Sequence, residues 1–367
     1  MAAFNPEQYI RADVEGMESY TPILPFDVLS QQLGIPPEQL VKLDANENPY
    51  GPSPKVYEAL SREPFYHIYP DPESRALRAK LSQYTGIEAD SILAGSGADE
   101  LIDLIMRLFL ELGDRIINCP PTFGMYSFDT GIQGGRTVNV PRLPNFAVDA
   151  AAIEQAAQDL KTKVVFLTSP NNPDGSLLSD ADLERILRLP LVVVLDEAYV
   201  EFSGSSRVSW VKEHANLIVL RTFSKWAGLA GLRVGYGIFP LTIMRHLWKI
   251  KQPYNVNVAA STAAIASLDD REYLFQNVDK IIAERERLYQ GLCGIEYLRP
   301  YPSRSNFILC RVVGRDAHEL KHALARQGIL VRYYSSAGLS DHIRVSVGLP
   351  EHTERLLDVL GKLRMKN

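Results

Sequence analysis

The chain has 367 residues, 46% hydrophobic and 23% charged, the proportions of an ordinary soluble globular protein long enough for two lobes or one large domain with an appendage. A net charge of −5 leaves no excess of Lys and Arg to neutralise a phosphate backbone, so no nucleic-acid partner is expected, whereas a small anionic ligand needs only local arginines. Three cysteines, Cys119, Cys293 and Cys310, are odd in number and lack metal-ligand spacing, which points to buried thiols, no metal and a cytoplasmic location. The first residues lack the basic region and apolar core of a signal peptide, and no apolar run approaches the ~20 residues that span a bilayer, so no membrane association is expected.

In chain order, the first forty residues are polar and proline-punctuated, and read as an arm with one amphipathic helix near Phe26 to Leu33. Leu43-Asp-Ala-Asn-Glu-Asn-Pro-Tyr-Gly-Pro-Ser-Pro54 is a strand end running into a turn. Tyr66-His-Ile-Tyr-Pro-Asp-Pro-Glu-Ser74 leads into a helix with Leu77, Leu81 and Tyr84 on one face. Ser91 to Met106 passes from a short strand through a glycine turn into an apolar-faced helix, whose first N–H groups, near Gly97, Ala98 and Asp99, make an anion site. Glu100 stands where a dinucleotide fingerprint would carry its third glycine, so that reading is set aside.

Strands at 115–119, 137–140 and 163–168 then alternate with helices at 149–160 and 179–189, the rhythm of a largely parallel sheet covered by helices. Leu191-Val-Val-Val-Leu195 reads as a strand buried on both faces, with Asp196 emerging at its end, where an unpaired charge is costly. A salt bridge would satisfy it; so would a protonated pyridine nitrogen. Leu217 to Leu220 is another buried strand, and Val234 to Phe239 another, followed by a helix at 241–251 and a mainly helical stretch at 258–292 containing one long amphipathic helix. Past Gly294, short strands at 306–312, 329–332 and 343–347 alternate with helices at 317–327 and 351–363, as in a small α/β lobe.

The stretch Arg221-Thr-Phe-Ser-Lys-Trp-Ala-Gly-Leu-Ala-Gly-Leu-Arg233 follows the 217–220 strand, where open α/β sheets place their ligands. Most lysines in such a turn are solvated or paired. Here Thr222, Ser224 and Arg233 accompany Lys225, a set suited to a ligand with both a phosphate and an aldehyde, the amine forming a Schiff base. Pyridoxal phosphate is such a ligand.

Thr-Phe-Ser-Lys followed by Gly-Leu-Ala-Gly-Leu-Arg-Val-Gly-Tyr resembles the cofactor-lysine motif of fold-type I pyridoxal-phosphate enzymes and, among them, of the histidinol-phosphate aminotransferase family. Asn-Glu-Asn-Pro-Tyr-Gly-Pro at 46–52 matches the same family, and the likeness runs from about Leu43 to Gly348. It implies an α/β fold: a large domain with a mostly parallel seven-stranded sheet between helices, plus a small α/β domain. The division expected is 1–42 as arm and part of the small lobe, 43–285 as the large cofactor domain and 286–367 as the small domain. By the resemblance, Lys225 carries the cofactor, Asp196 faces its ring nitrogen, and Tyr199 and Asn172 reach its phenolic oxygen. Gly97, Ala98, Asp99, Thr222, Ser224 and Arg233 surround the phosphate, with Tyr69 contributed across a homodimer interface. Phe123 stacks on the ring where tyrosine is usual, and stacking needs only the ring face. Asp174 replaces the usual threonine of Asn-Pro-Thr-Gly.

Substrate contacts fall on Tyr20, Asn172, Arg332 and Arg344. Strand arginines also pair with carboxylates, but two guanidinium forks suit a pocket that accepts a phosphomonoester in one half-reaction and a distal carboxylate in the other. The implied activity is amino transfer between L-histidinol phosphate and 2-oxoglutarate, yielding imidazole acetol phosphate and glutamate. Aromatic aminotransferases and threonine-phosphate decarboxylase share the pattern, and a cofactor-binding sensor would need a basic DNA-binding segment that the sequence lacks.

Overall fold

A computed structural model of the chain describes residues 4–17, 25–336 and 338–363. Two sheets organise it. The larger has seven strands in the order β2-β8-β7-β6-β5-β3-β4: β2 (Ile92–Gly95), β3 (Arg115–Asn118), β4 (Arg136–Asn139), β5 (Thr162–Thr168), β6 (Val192–Asp196), β7 (Leu217–Thr222) and β8 (Gly235–Ile238). Only β8 runs against its neighbours. The mostly parallel seven-stranded sheet expected from the sequence is therefore present.

The side-chain alternation of a strand explains how this sheet is covered on both faces. Val193 and Leu195 of β6 and Leu217 and Val219 of β7 join one apolar core. Val194, Ile218 and Leu220, the intervening residues, join the other, together with the helix Gly97–Phe109. The same parity continues past the apolar runs. Asp196 falls on the face of Val194, and Arg221 on the face of Val219.

Because β2, β3, β5, β6 and β7 are mutually parallel, their C-terminal ends lie along one edge of the sheet. Gly95, Asn118, Thr168, Asp196 and Thr222 end these strands. The loops that follow carry nearly every candidate side chain, which is how an open α/β sheet builds a site.

The second sheet has five strands in the order β1-β11-β12-β10-β9: β1 (Val41–Leu43), β9 (Leu298–Pro300), β10 (Phe307–Val312), β11 (Ile329–Tyr333) and β12 (His342–Ser346). The segment around Leu43 thus pairs parallel with β11, Leu43 opposite Val331, and delivers the following Asn-Glu-Asn-Pro turn to the junction of the two sheets. β9 is three residues long and carries no periodic signal in the sequence. The helix Phe26–Leu33 spans the segment expected.

Two expectations are corrected. The helix placed at 149–160 spans only Ala150–Ala156, since Leu160 is exposed and gives the last turn nothing to pack against. The helical stretch at 258–292 is two helices, Val258–Asp269 and Arg271–Cys293. Asp270 breaks it with φ −120° and ψ 31°, its carboxylate taken by the Ser53 hydroxyl and by Lys55 at 2.7 Å.

Candidate active site

Lys225 lies in the loop after β7, half-buried, its Nζ 3.2 Å from the Ala45 carbonyl and 5.7 Å from the centre of the Tyr199 ring. Burial, reinforced by the nearby Arg344 guanidinium, lowers its amine to about 8. The unprotonated nucleophile is therefore a far larger fraction near neutral pH than for an ordinary lysine.

The loop is held by backbone approach rather than by its own secondary structure. Gly228 has φ +69°, and a Cβ there would lie 2.5 Å from the Gly51 carbonyl carbon. The Asn48 amide donates to the Trp226 carbonyl at 2.8 Å. The Asn-Pro-Tyr-Gly turn thus clamps the lysine loop.

Asp196 is almost wholly buried. Its Oδ2 accepts from the Tyr126 hydroxyl at 2.6 Å and its Oδ1 from the Ala198 N–H at 2.9 Å. Burial pushes its carboxyl up to about 6 against the pull of these donors, and among the described residues no cation is paired with it. A buried carboxylate so placed has its lone pairs only partly satisfied, which is costly until a positively charged donor arrives.

Tyr199 projects its hydroxyl toward Asn46, whose Nδ2 donates to it at 3.1 Å. Asn46 sits at φ 56°, a left-handed conformation asparagine tolerates, and is fixed by the Ser346 hydroxyl, which donates to its Oδ1 at 2.8 Å. With an amide hydrogen already on its oxygen, Tyr199 keeps its own proton for another acceptor. Asn172 is oriented just as firmly. Arg344 Nη1 reaches its side-chain oxygen at 2.6 Å, and since arginine only donates, the Asn172 amide hydrogens must point elsewhere.

The residues expected around an anion meet where the lysine loop approaches the helix Gly97–Phe109. Thr222 Oγ1 contacts Ser224 Oγ at 2.9 Å, and Arg233 Nη1 lies 3.4 Å from the same Ser224 oxygen. No side chain caps this helix. Gly97 takes φ +77°, and a Cβ on it would fall 2.6 Å from Arg233 Nη2, so only glycine leaves the guanidinium its place. Asp99, expected to contribute through its N–H, also uses its carboxylate to hold Arg233 at 2.6 Å.

Arg332 and Arg344 are direct partners across β11 and β12 and so share one face of the smaller sheet. The Tyr334 ring lies 5.7 Å from one guanidinium and 5.9 Å from the other. Arg344 Nη2 donates to the Asp44 carbonyl at 2.7 Å, while its buried Nε has no hydrogen-bond partner among the described residues. Phe123 lies half-buried at the end of the β3 loop, edge-on to Tyr126. Asp174 is a buried bracing residue: it accepts from Asn171 Nδ2 and from the Ser176 N–H at 2.8 Å.

Tyr69 stands apart from these groups, 80% exposed and stacked on Tyr254 at 4.7 Å. Tyr20 lies outside the described residues. Asn46 and Tyr126 are the polar contacts that sequence reasoning missed. Asn46 was visible in the Asn-Glu-Asn-Pro motif without an assignable partner, and Tyr126 reads as a core aromatic.

The sequence pattern of aminotransferase class I and II matches residues 38–360. The chain belongs to that family. Histidinol-phosphate aminotransferase 1, chloroplastic, of Arabidopsis thaliana is 56% identical over 356 residues, 96% of this aminotransferase and 85% of the plant protein. Histidinol-phosphate aminotransferase of Roseiflexus castenholzii is 50% identical over 362 residues, covering 96% and 98% of the two chains. Among solved structures, histidinol-phosphate aminotransferase from Sinorhizobium meliloti in complex with pyridoxal-5'-phosphate matches at a TM-score of 0.87 and 27% identity over 99% of each chain.

Proposed function

We propose that this aminotransferase uses pyridoxal phosphate to exchange an amino group between L-histidinol phosphate and 2-oxoglutarate, giving imidazole acetol phosphate and glutamate in histidine biosynthesis. The observation that carries the reading is the pairing of a depressed lysine amine with a buried, cation-free carboxylate along one sheet edge. The residues fit the cofactor: among the described residues Asp196 lacks a positive partner, and the Gly97 turn lets the Arg233 guanidinium lie against the start of the helix, where a Cβ would displace it. The relatives' names carry histidinol phosphate, and the 2-oxoglutarate acceptor is what the family resemblance implies.

When bound, pyridoxal phosphate supplies an aldehyde that takes up amino groups and a ring that accepts the electrons released at the substrate α-carbon. Lys225 Nζ would hold the cofactor covalently, and its free amine would act as the base that takes the substrate α-proton. Asp196 keeps a proton on the ring nitrogen. Tyr199 and Asn172 donate to the phenolic oxygen, the first freed for this by Asn46 and the second by Arg344. Ser224, Arg233, Thr222 and the N–H groups of Gly97, Ala98 and Asp99 hold the phosphate.

Arg344 and Arg332 bind the substrate phosphate in one half-reaction and the acceptor's distal carboxylate in the other. Arg344 carries the unmatched Nε that such a ligand would satisfy. Phe123 covers the ring face.

A homodimer completes the site in this reading, with Tyr69 reaching the neighbouring phosphate. Phe65, Tyr66, Ile68 and Tyr69 form an exposed apolar segment beside an open hollow of about 420 Å³, and such patches mark interaction surfaces. The cytoplasm is the proposed compartment, in keeping with three free cysteines, of which Cys119 and Cys310 are buried as expected and Cys293 is exposed; among the described residues no helix is long and apolar enough to cross a membrane. The test is a donor panel with 2-oxoglutarate as acceptor. Faster turnover of histidinol phosphate than of phenylalanine or tyrosine supports the reading; the reverse order rejects the substrate.

A further inference from the structure

The Asp196 carboxylate is served by a hydrogen-bonded series that the reaction as described above does not use. Tyr126 lies in the helix Met125–Ile132, three residues beyond Phe123, with its ring wholly buried and stacked on Phe166 at 4.7 Å. Its hydroxyl is 2.6 Å from Asp196 Oδ2 and 3.1 Å from Thr168 Oγ1. Thr168 Oγ1 in turn lies 3.2 Å from Thr122 Oγ1, which donates to Asn171 Oδ1 at 2.9 Å.

Donor accounting fixes the direction of this series. An ionised carboxylate only accepts, so the single Tyr126 proton goes to Asp196, and Thr168 must donate to the Tyr126 oxygen. Asn171 gives its amide hydrogens to the Pro121 carbonyl and Asp174, so its oxygen takes the Thr122 proton. Thr168 and Thr122 have then each spent their one proton, on Tyr126 and on Asn171, so no hydrogen joins the two, and the Thr168 hydroxyl alone backs the Tyr126 bond and strengthens it in a dry interior.

The Ala198 N–H fixes one carboxylate oxygen and Tyr126 the other, so the carboxylate plane is set from two sides. A phenylalanine at 126 would keep the stacking on Phe166 and the edge contact with Phe123 while removing the hydroxyl, and with it the donor to Asp196 and the acceptor of the Thr168 proton.

We propose that Tyr126, backed by Thr168, is a positioning residue that keeps Asp196 ionised and aimed at the ring nitrogen of the bound cofactor. This rests on the functional reading above. Without the donor, the carboxylate becomes more basic and draws the shared proton off the ring nitrogen. The ring then withdraws fewer electrons, and the Lys225 nitrogen bound to it becomes more basic.

The test compares wild-type, Tyr126→Phe and Thr168→Val proteins by titrating the visible absorption band of the holoenzyme and by measuring cofactor dissociation in equilibrium dialysis. Loss of a hydrogen bond to a charged group predicts, for Tyr126→Phe, cofactor binding weaker by roughly tenfold and a spectral midpoint moved to higher pH by about one unit. Thr168→Val should move both in the same direction by less, and supplies the answer if Tyr126→Phe does not fold. A spectral midpoint and dissociation constant unchanged in the folded variants overturn the assignment. Wild-type protein that fixes no cofactor at Lys225 on borohydride reduction would instead reject the underlying functional reading.

Discussion

Asp196 and Glu197 are neighbours in sequence, both almost fully buried, yet the two faces of the sheet treat them oppositely. Glu197 meets Arg221, whose Nε and Nη2 reach its Oε2 at 3.0 and 2.8 Å, and it also accepts from Ser206 and the Arg207 N–H. Asp196, on the other face, has two neutral donors and, among the described residues, no cation. The contrast extends to cations. Arg221 gives its donors to Glu197, Ser206 and, at 3.5 Å, the Tyr236 hydroxyl, whereas Arg344 retains an unmatched buried Nε. A fully satisfied pair holds the ends of β6 and β7 together, and the incompletely satisfied groups around it await ligands.

The sharpest way to break this comparison is to neutralise each acid. Asp196→Asn should lower turnover by about a thousandfold, the scale of losing a preorganised charge at the reacting centre. It should nevertheless stabilise the cofactor-free protein. The Asp196 pKa is raised on folding, to about 6, so its stabilising contribution is complete below the unfolded value of ~3.9 and is lost as pH rises through 6. The variant should therefore be more stable than wild type at pH 8, by about 1–3 kcal/mol, and melt higher, with the difference shrinking from pH 6 toward pH 4. Thermal melts of the two apoproteins across this range check it.

Glu197→Gln should behave in reverse. Removing one partner of a buried ion pair costs about 3–5 kcal/mol of stability, visible in urea unfolding, while the folded fraction keeps turnover within about threefold of wild type. Equal losses of activity in the two variants would erase the distinction between the faces.

Arg344→Lys sharpens the cation half of the contrast. Lysine cannot span Asn172, the Asp44 carbonyl and a ligand at once, so KM for both substrates should rise about ten- to hundredfold. The smallest effect concerns Lys225 itself. With its amine at about 8, the rate of cofactor capture by apoprotein should rise about tenfold per pH unit up to that point and then level off, as stopped-flow absorbance would record.

Much of this was legible in the sequence because strand-end chemistry follows local pattern. The aliphatic run before Asp196 announces a buried strand, and the hydroxyl- and glycine-rich loop around Lys225 announces a site. Which acid receives a cation was not legible: Glu197 and Arg221 are 24 residues apart and meet only through the parity of adjacent strands. Tyr126 looked like packing because its hydroxyl finds Asp196 from 70 residues away. β1 and β9, three residues each, are too short to show a period, and Asp270 ends a helix without glycine or proline. Local pattern thus announces the side chains, and tertiary pairing decides which of them are left for ligands.

The most direct measurement is to reduce the holoenzyme with borohydride, digest it and map the cofactor label by mass spectrometry. Attachment to Lys225, with little label retained by Asp196→Asn under the same conditions, is the predicted result. Label on a different lysine, or full and stable labelling of the Asp196→Asn protein, would contradict the account.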